Sequence, residues 1–301
     1  MALTTQLLPG IARGYVRFAP GNVAKAGIVD RYLNAALRTR PVTRDVVLRN
    51  GVRICVDTKD IVQRYLYQFG IWEPSLTSWL TRTLQPGDVF VDVGANIGYY
   101  GLLAARLVGH QGSVVAIEAS PAAYAALRRN VARNQAGNIR LVDRAVAARD
   151  QELTFYEPKP GVHSVTTSVR TSEDMAPAFR VQAHPLPNLL TSQELSAARV
   201  IKIDIEGGEY VALAGLVPAL DQTREDLEIV VEVSESLLAR QSRTIADAVG
   251  LLTDRGFHPY RLTNSYQPSS YLRAPVAPRR ARGPISGNAD LVFSRADVEV
   301  L

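Results

Sequence analysis

The sequence predicts an α/β fold in which a mostly parallel sheet is covered by helices. Three observations predict it. From Asp88 onward, short apolar runs alternate with amphipathic stretches of helical length. The runs are apolar on both faces, as strands buried beneath helices are. A glycine-broken turn, "VDVGANIGYYG" at 91–101, joins the first run to the first helical stretch.

Taken in order, residues 1 to about 40 read as helical and basic, with Arg13, Arg17, Lys25, Arg31, Arg38 and Arg40 against one acid, Asp30. "DVVLRNGVRICVD" (45–57) predicts two strands joined at Asn50-Gly51, the dipeptide a tight hairpin favours. "DIVQRYLYQFG" is amphipathic and stops at Gly70, and "EPSLTSWLTRTL" carries Pro74 in a first helical turn. Residues 1–87 are therefore expected to form a helical and β-hairpin extension, and 88–301 the main domain. "VFVDV" (89–93) is a strand and 97–108 a helix closed by Gly109. "SVVAIE" is the next strand, and Ser120-Pro121 starts a helix that runs to about Asn134. Further strands are expected at 139–142, 153–156, 200–205, 228–233, 258–262 and 290–294, with a helix at about 244–255. Residues 264–288, rich in Pro, Ser, Gly and Arg, read as one long irregular loop.

Composition narrows the partners. With 301 residues and 47% hydrophobic content, the chain can bury an ordinary core. A net charge of +5 calls for no nucleic acid. Only "APRRARG" and the N-terminal arm concentrate basic residues, which leaves a weak membrane-surface contact open. One cysteine, Cys55, builds neither a disulfide framework nor a thiolate metal site and suits a reducing compartment. No apolar run approaches the length of a transmembrane segment, and no secretion signal is seen, so the cytoplasm is the expected location.

In open α/β sheets, ligands bind beyond the carboxyl ends of the strands. Gly94 and Gly98 are expected to admit a ligand to bare backbone there. Glu118, ending the second strand, offers two acceptor oxygens for a ribose diol. A dinucleotide site would need glycine at the middle position of the turn, where Asn96 stands. Asp92 would repel a diphosphate but attract a cation. That charge logic favours S-adenosylmethionine over a nicotinamide cofactor.

"FVDVGANIGYYG", followed by "VVAIEASPAAYAALRRNVARN" and "VIKIDIEGGEYVALAGL", resembles the FkbM family of S-adenosylmethionine-dependent O-methyltransferases over about residues 70–255. Ala119 departs from the family's usual proline at a turn position. The resemblance implies a Rossmann-like class I methyltransferase fold with a seven-stranded, mostly parallel sheet. It also implies that Asp92, Gly94, Asn96, Gly98 and Glu118 bind the cofactor, with Asp143 near the adenine. The implied acceptor is a hydroxyl on a small molecule such as a sugar, glycolipid or polyketide-type metabolite. Methylation of RNA or protein, and a non-catalytic S-adenosylmethionine-binding module, are the alternatives.

"IKIDIEGGE" adds a second acidic cluster. Alternation along an extended backbone would put Asp204 and Glu206 on one side, with Lys202 in reach and Glu209 beginning a helix. Methyl transfer to a hydroxyl needs a base or a metal that lowers the hydroxyl's pKa. Asp204, Glu206 and His163 are the candidate catalytic groups. In a second mechanism Asp204 and Glu232, from neighbouring strand ends, hold Mg²⁺.

Overall fold

A computed structural model describes residues 2–158, 167–170, 172 and 174–301. The chain divides into two compact units, residues 1–78 with 264–276, and residues 79–263 with 277–301.

The first unit opens with the helix Ala2–Phe18, followed by the short helices Lys25–Ile28 and Asn34–Thr39 flanking a single π-helical stretch, Val29–Leu33. Strands β1 (Thr43–Val47) and β2 (Arg53–Asp57) form the expected antiparallel hairpin. Gly51 in its turn has φ 79°, a conformation that favours a residue without Cβ. Asp60 caps the helix Ile61–Phe69 by accepting from the Gln63 amide, and Gly70 closes it in the left-handed conformation. Tyr65, Phe69, Trp72, Tyr266 and Tyr271 stack together here, with the Tyr266 hydroxyl donating to Glu73 Oε1 at 2.9 Å.

In the second unit the strands are β3 (Val89–Val93), β4 (Ser113–Ile117), β5 (Ile139–Val142), β6 (Ala145–Val146), β7 (Gln151–Pro158), β8 (Met175–His184), β9 (Ala198–Ile203), β10 (Glu228–Ser234), β11 (His258–Leu262), β12 (Arg279–Arg280) and β13 (Asn288–Ser294). The main sheet runs β12-β11-β13-β10-β9-β3-β4-β5. Strands β5, β4, β3, β9 and β10 are mutually parallel, and β13 lies antiparallel between β10 and β11. This is the Rossmann-like order, reversing direction between β3 and β9. The seven expected strands are all present, and among the described residues this sheet has one more. The extra one, β12, is a two-residue edge drawn from within the irregular 264–288 stretch.

The central strands alternate their two faces. Val91, Val93, Val115, Ile117, Ile201, Ile203, Ile229 and Val231 enter one continuous core with Ala212, Leu213 and Leu216 of the helix Glu209–Leu216. The intervening positions, Asp92, Ala116 and Lys202, share the opposite face, because β3 pairs Asp92 with Ala116 and Lys202. Ser120 caps the helix Pro121–Asn134 by accepting from the Ala123 amide, a contribution of about 1 kcal/mol. The run at 153–156 lies in β7, which pairs with β8 and joins a separate three-stranded sheet rather than the main one. Among the described residues no helix is long and apolar enough to cross a membrane.

Candidate functional site

Two turns leave the carboxyl ends of adjacent parallel strands, β3 and β9, and each carries acids. In the first, the amides of Gly94 and Ala95 both donate to the Ile117 carbonyl, at 2.9 and 3.0 Å. The chain then turns through Asn96, whose φ of 49° is left-handed, and its amide donates to Glu118 Oε2 at 2.8 Å. The Ser120 amide donates to Glu118 Oε1 at 2.7 Å. Glu118 thus ties the ends of β3 and β4 together, and each of its oxygens retains a second acceptor direction. Burial pushes its carboxyl up, the two amide bonds pull it down, and Asp92 and Asp204 add to the rise.

A side chain at either glycine would meet the chain itself. A Cβ on Gly94, at φ 83°, would lie 1.9 Å from the Asp204 carbonyl oxygen. One on Gly98, at φ 93°, would lie 2.6 Å from Leu127 Cδ1. The turn is therefore closed against the second strand end and against the helix Pro121–Asn134. Asp92 is 1% exposed, and neither of its oxygens has a hydrogen bond of normal geometry. Its carboxyl is pushed up to about 6, first by burial. Lys202 opposes that rise, Asp204 adds to it, and the Gly101 amide contributes least. Asp143 follows β5, but it is exposed and paired with Arg144 at 2.7 Å.

The second turn begins where β9 ends, at Ile203. The Asp204 amide donates to the Val93 carbonyl at 3.0 Å, and Asp204 Oδ2 accepts from Lys202 Nζ at 2.7 Å. Lys202 is almost wholly buried, with its ammonium 5.1 Å from the centre of the Tyr100 ring. The extended run expected through 205 does not form. Glu206 has φ 54° and Gly207 φ 101°, so the chain reverses, and Asp204 and Glu206 do not share a face of a strand. The cause is Glu209, which accepts from the Ile205 amide at 3.2 Å and from the Gly207 amide through both oxygens, at 3.0 and 2.9 Å. That carboxylate pins the turn at the start of the helix Glu209–Leu216.

Both glutamates are shifted. Glu206 is pushed up to about 7 by burial first, then by Asp204 and Glu209, with Lys202 opposing. Glu209 also reaches about 7 by burial, against the pull of its amide partners. Two residues that sequence reasoning did not single out brace the turn. Thr167 Oγ1 donates to the Glu206 carbonyl at 2.5 Å, and Gln241 Nε2 to the Gly207 carbonyl at 2.7 Å. The run of Ser and Thr at 164–168 hinted at the first, but no local pattern marks Gln241. His163 lies outside the described residues.

A metal pair at Asp204 and Glu232 does not fit. Glu232 stands one residue past the Ile203–Val231 pair of β9 and β10, level with Asp204. However, Asp204 carries a lysine ammonium at 2.7 Å, a charge that opposes a cation. Among the described residues, no group of three or more His, Cys, Asp or Glu is placed to hold a metal ion.

The Methyltransferase FkbM domain family matches residues 92–259, which include both turns. The chain is 29% identical over 201 residues to 31-O-demethyl-FK506 methyltransferase FkbM of Streptomyces tacrolimicus, covering 58% of this chain and 74% of that protein. It is 26% identical over 161 residues to hexuronic acid methyltransferase AglP of Haloferax volcanii, covering 54% of this chain and 62% of that one. The chain thus spans less than two thirds of the second relative. Among solved structures, Methyltransferase FkbM from Methylobacillus flagellatus KT superposes with a TM-score of 0.44 at 14% identity, over 77% of this chain and 52% of that one. SMU.1697c from Streptococcus mutans, in complex with SAH, gives 0.42 at 11% identity, over 77% and 99%. With scores below 0.5, neither bears on what the chain does.

Proposed function

The chain belongs to the FkbM methyltransferase family, and from that premise we propose that it is an S-adenosylmethionine-dependent O-methyltransferase acting on a hydroxyl of a small molecule. The observation that carries this reading is the bare, buried Asp92 carboxylate beside the amide-tethered Glu118, both at the carboxyl ends of the central strands. A buried carboxylate with no hydrogen bond of normal geometry is costly, and although Lys202 and the Gly101 amide partly offset that cost, a cationic ligand would offset it further. Glu118, with acceptor capacity left on both oxygens, suits a ribose diol. Asn96 and the turn's backbone border that position, and Asp143 would need to leave Arg144 to join it. When bound, the cofactor supplies an electrophilic methyl group on a sulfonium.

The chain's own part is to align the acceptor and remove its proton. Glu206, near neutrality in its titration, is suited to accept the hydroxyl proton as the oxygen–methyl bond forms and the carbon–sulfur bond breaks. Burial first and the Asp204 charge second raise that basicity, and Lys202 holds Asp204 in place. No step is assigned to His163 or to Mg²⁺.

The first relative's name, for 31-O-demethyl-FK506, favours a hydroxyl on a polyketide-type compound, and the second's, for hexuronic acid, favours a sugar-derived acceptor. Transfer of a labelled methyl group from S-adenosylmethionine to a panel of such acceptors tests the proposal. It predicts a base-stable methyl ether on at least one acceptor, formed equally well with EDTA present. Label appearing only in RNA or protein would contradict it.

A further inference from the structure

The chain's positive charge is unevenly placed. Residues 1–78 and 264–276 hold twelve Lys and Arg against five Asp and Glu. This unit therefore carries more than the whole chain's excess of +5, and the other unit is slightly acidic. In the same basic unit, the helix Ala2–Phe18 turns large apolar side chains to solvent. Leu8, Ile11, Tyr15 and Phe18 are spaced three, four and three residues apart, which on an α-helix makes one stripe. They are 54%, 66%, 38% and 73% exposed. Val23, past the helix end, is 78% exposed, and its carbonyl accepts from the Tyr15 hydroxyl at 2.9 Å, which prolongs the stripe. Single exposed apolar residues need no explanation, but a contiguous row of them does.

The helix is not loose. Val16 is buried, and Arg13 donates to the Tyr67 carbonyl at 2.7 Å with its guanidinium 4.2 Å from the Tyr67 ring centre. The apolar stripe thus faces outward while part of the basic side is anchored inward. Two cations lie near the rings of the stripe, the half-buried Arg17 and the buried Lys25. The Arg17 guanidinium lies 5.3 Å from the Phe18 ring, and Lys25 Nζ 5.8 Å from the Tyr15 ring. Arg13 and Arg17 donate to the carbonyls of Tyr67 and Val47, and among the described residues neither is in an ion pair. Burial brings Arg17 down to about 10, and its neighbours Arg13 and Arg49 lower it further.

We propose that the helix Ala2–Phe18 docks on an anionic lipid bilayer surface, lying in the interface with Leu8, Ile11, Tyr15 and Phe18 among the acyl chains and the net positive charge of its unit drawing it to the headgroups. A second copy of the chain would also cover the stripe, but it would set one basic unit against another, which electrostatic complementarity disfavours. At seventeen residues the helix is about 25 Å long, suited to lying on a bilayer rather than crossing it.

Vesicle flotation of the full chain tests this. Vesicles of phosphatidylcholine with phosphatidylglycerol should carry the protein, phosphatidylcholine alone should carry far less, and added salt should weaken the binding. The double variant Ile11→Asp/Phe18→Asp should lose about tenfold or more in vesicle affinity with an unchanged urea midpoint, since both sites are exposed. Val298→Asp, an exposed apolar site in the other unit, should leave binding intact. Phe18→Trp should shift its emission to the blue on anionic vesicles. The proposal is overturned by absence of flotation on anionic vesicles, or by flotation indifferent to the double variant. Light scattering that shows a dimer split by that variant would assign the stripe to a second copy instead.

Discussion

The turns after β3 and β9 both carry acids at the end of a buried parallel strand, yet they dispose of that charge in opposite ways. After β3 the hydrogen bonds go to the backbone, and Asp92 is left buried and bare. After β9 the acids are provided for: Asp204 has the Lys202 ammonium and Glu209 has three amide hydrogen bonds. Only Glu206 stands between these regimes, close to other carboxylates and raised to about 7. One turn thus buries a carboxylate short of hydrogen bonds, which the proposed cofactor would offset, and the other is closed by hydrogen bonds but raises one carboxyl, the proposed base. The two meet where the Asp204 carbonyl occupies the space a Gly94 side chain would need.

The largest effect should come from forcing the turns apart. Gly94→Ala places a Cβ against backbone at a positive φ, so a loss of about 3 kcal/mol or more is expected in chemical denaturation. Gly98→Ala meets a leucine methyl that can move, and should cost less, about 1–2 kcal/mol.

Next is Glu206→Gln, expected to lower kcat by about 10²- to 10⁴-fold while leaving S-adenosylhomocysteine binding intact. Because the base must be ionised, the wild-type rate should rise as pH increases through about 7, and the variant should lose that rise. Burial raises the midpoint most, and neighbouring charges move it further. Asp204→Asn should move it lower and Lys202→Met higher, since Asp204 raises the Glu206 carboxyl and Lys202 depresses it. Shifts in the same direction would contradict the division of roles.

Stability should respond as well. Folded Glu206 and Glu209 hold their protons up to about 7, and the unfolded chain only to about 4.5. The native state therefore binds more protons between those values, and stability falls as pH rises across that window. Glu206→Gln should flatten this slope in urea titrations run at several pH values. The smallest effect is reserved for Asp143→Ala, an exposed and locally paired site, expected to change stability by less than about 0.5 kcal/mol.

Much of this was legible in the residues themselves. Asn50-Gly51, Ser120-Pro121 and Gly70 marked a hairpin, a helix start and a helix stop because each acts through its own backbone. The both-face apolar runs marked the parallel strands for the same local reason. Strand β8 escaped notice because half of its residues are exposed and its first half breaks the alternation of burial, and it gains its place by pairing with β7 and stacking Phe179 on Phe155 at 4.9 Å. The acids at 92, 118, 204 and 206 were visible as residue types, but their states were not. Whether Asp92 is bare, or the chain reverses at Glu206, depends on where Lys202 and Glu209 point. Likewise, nothing in the spacing of Gly98 and Leu127 says that one makes room for the other.

Calorimetric titration with S-adenosylhomocysteine, on the wild type and on Glu118→Ala, tests the central claim most directly. The account predicts saturable one-to-one binding to the wild type, weakened about tenfold or more in the variant, with no heat from NAD. Equal affinity in the two proteins, or binding of NAD in place of the nucleoside, would contradict it.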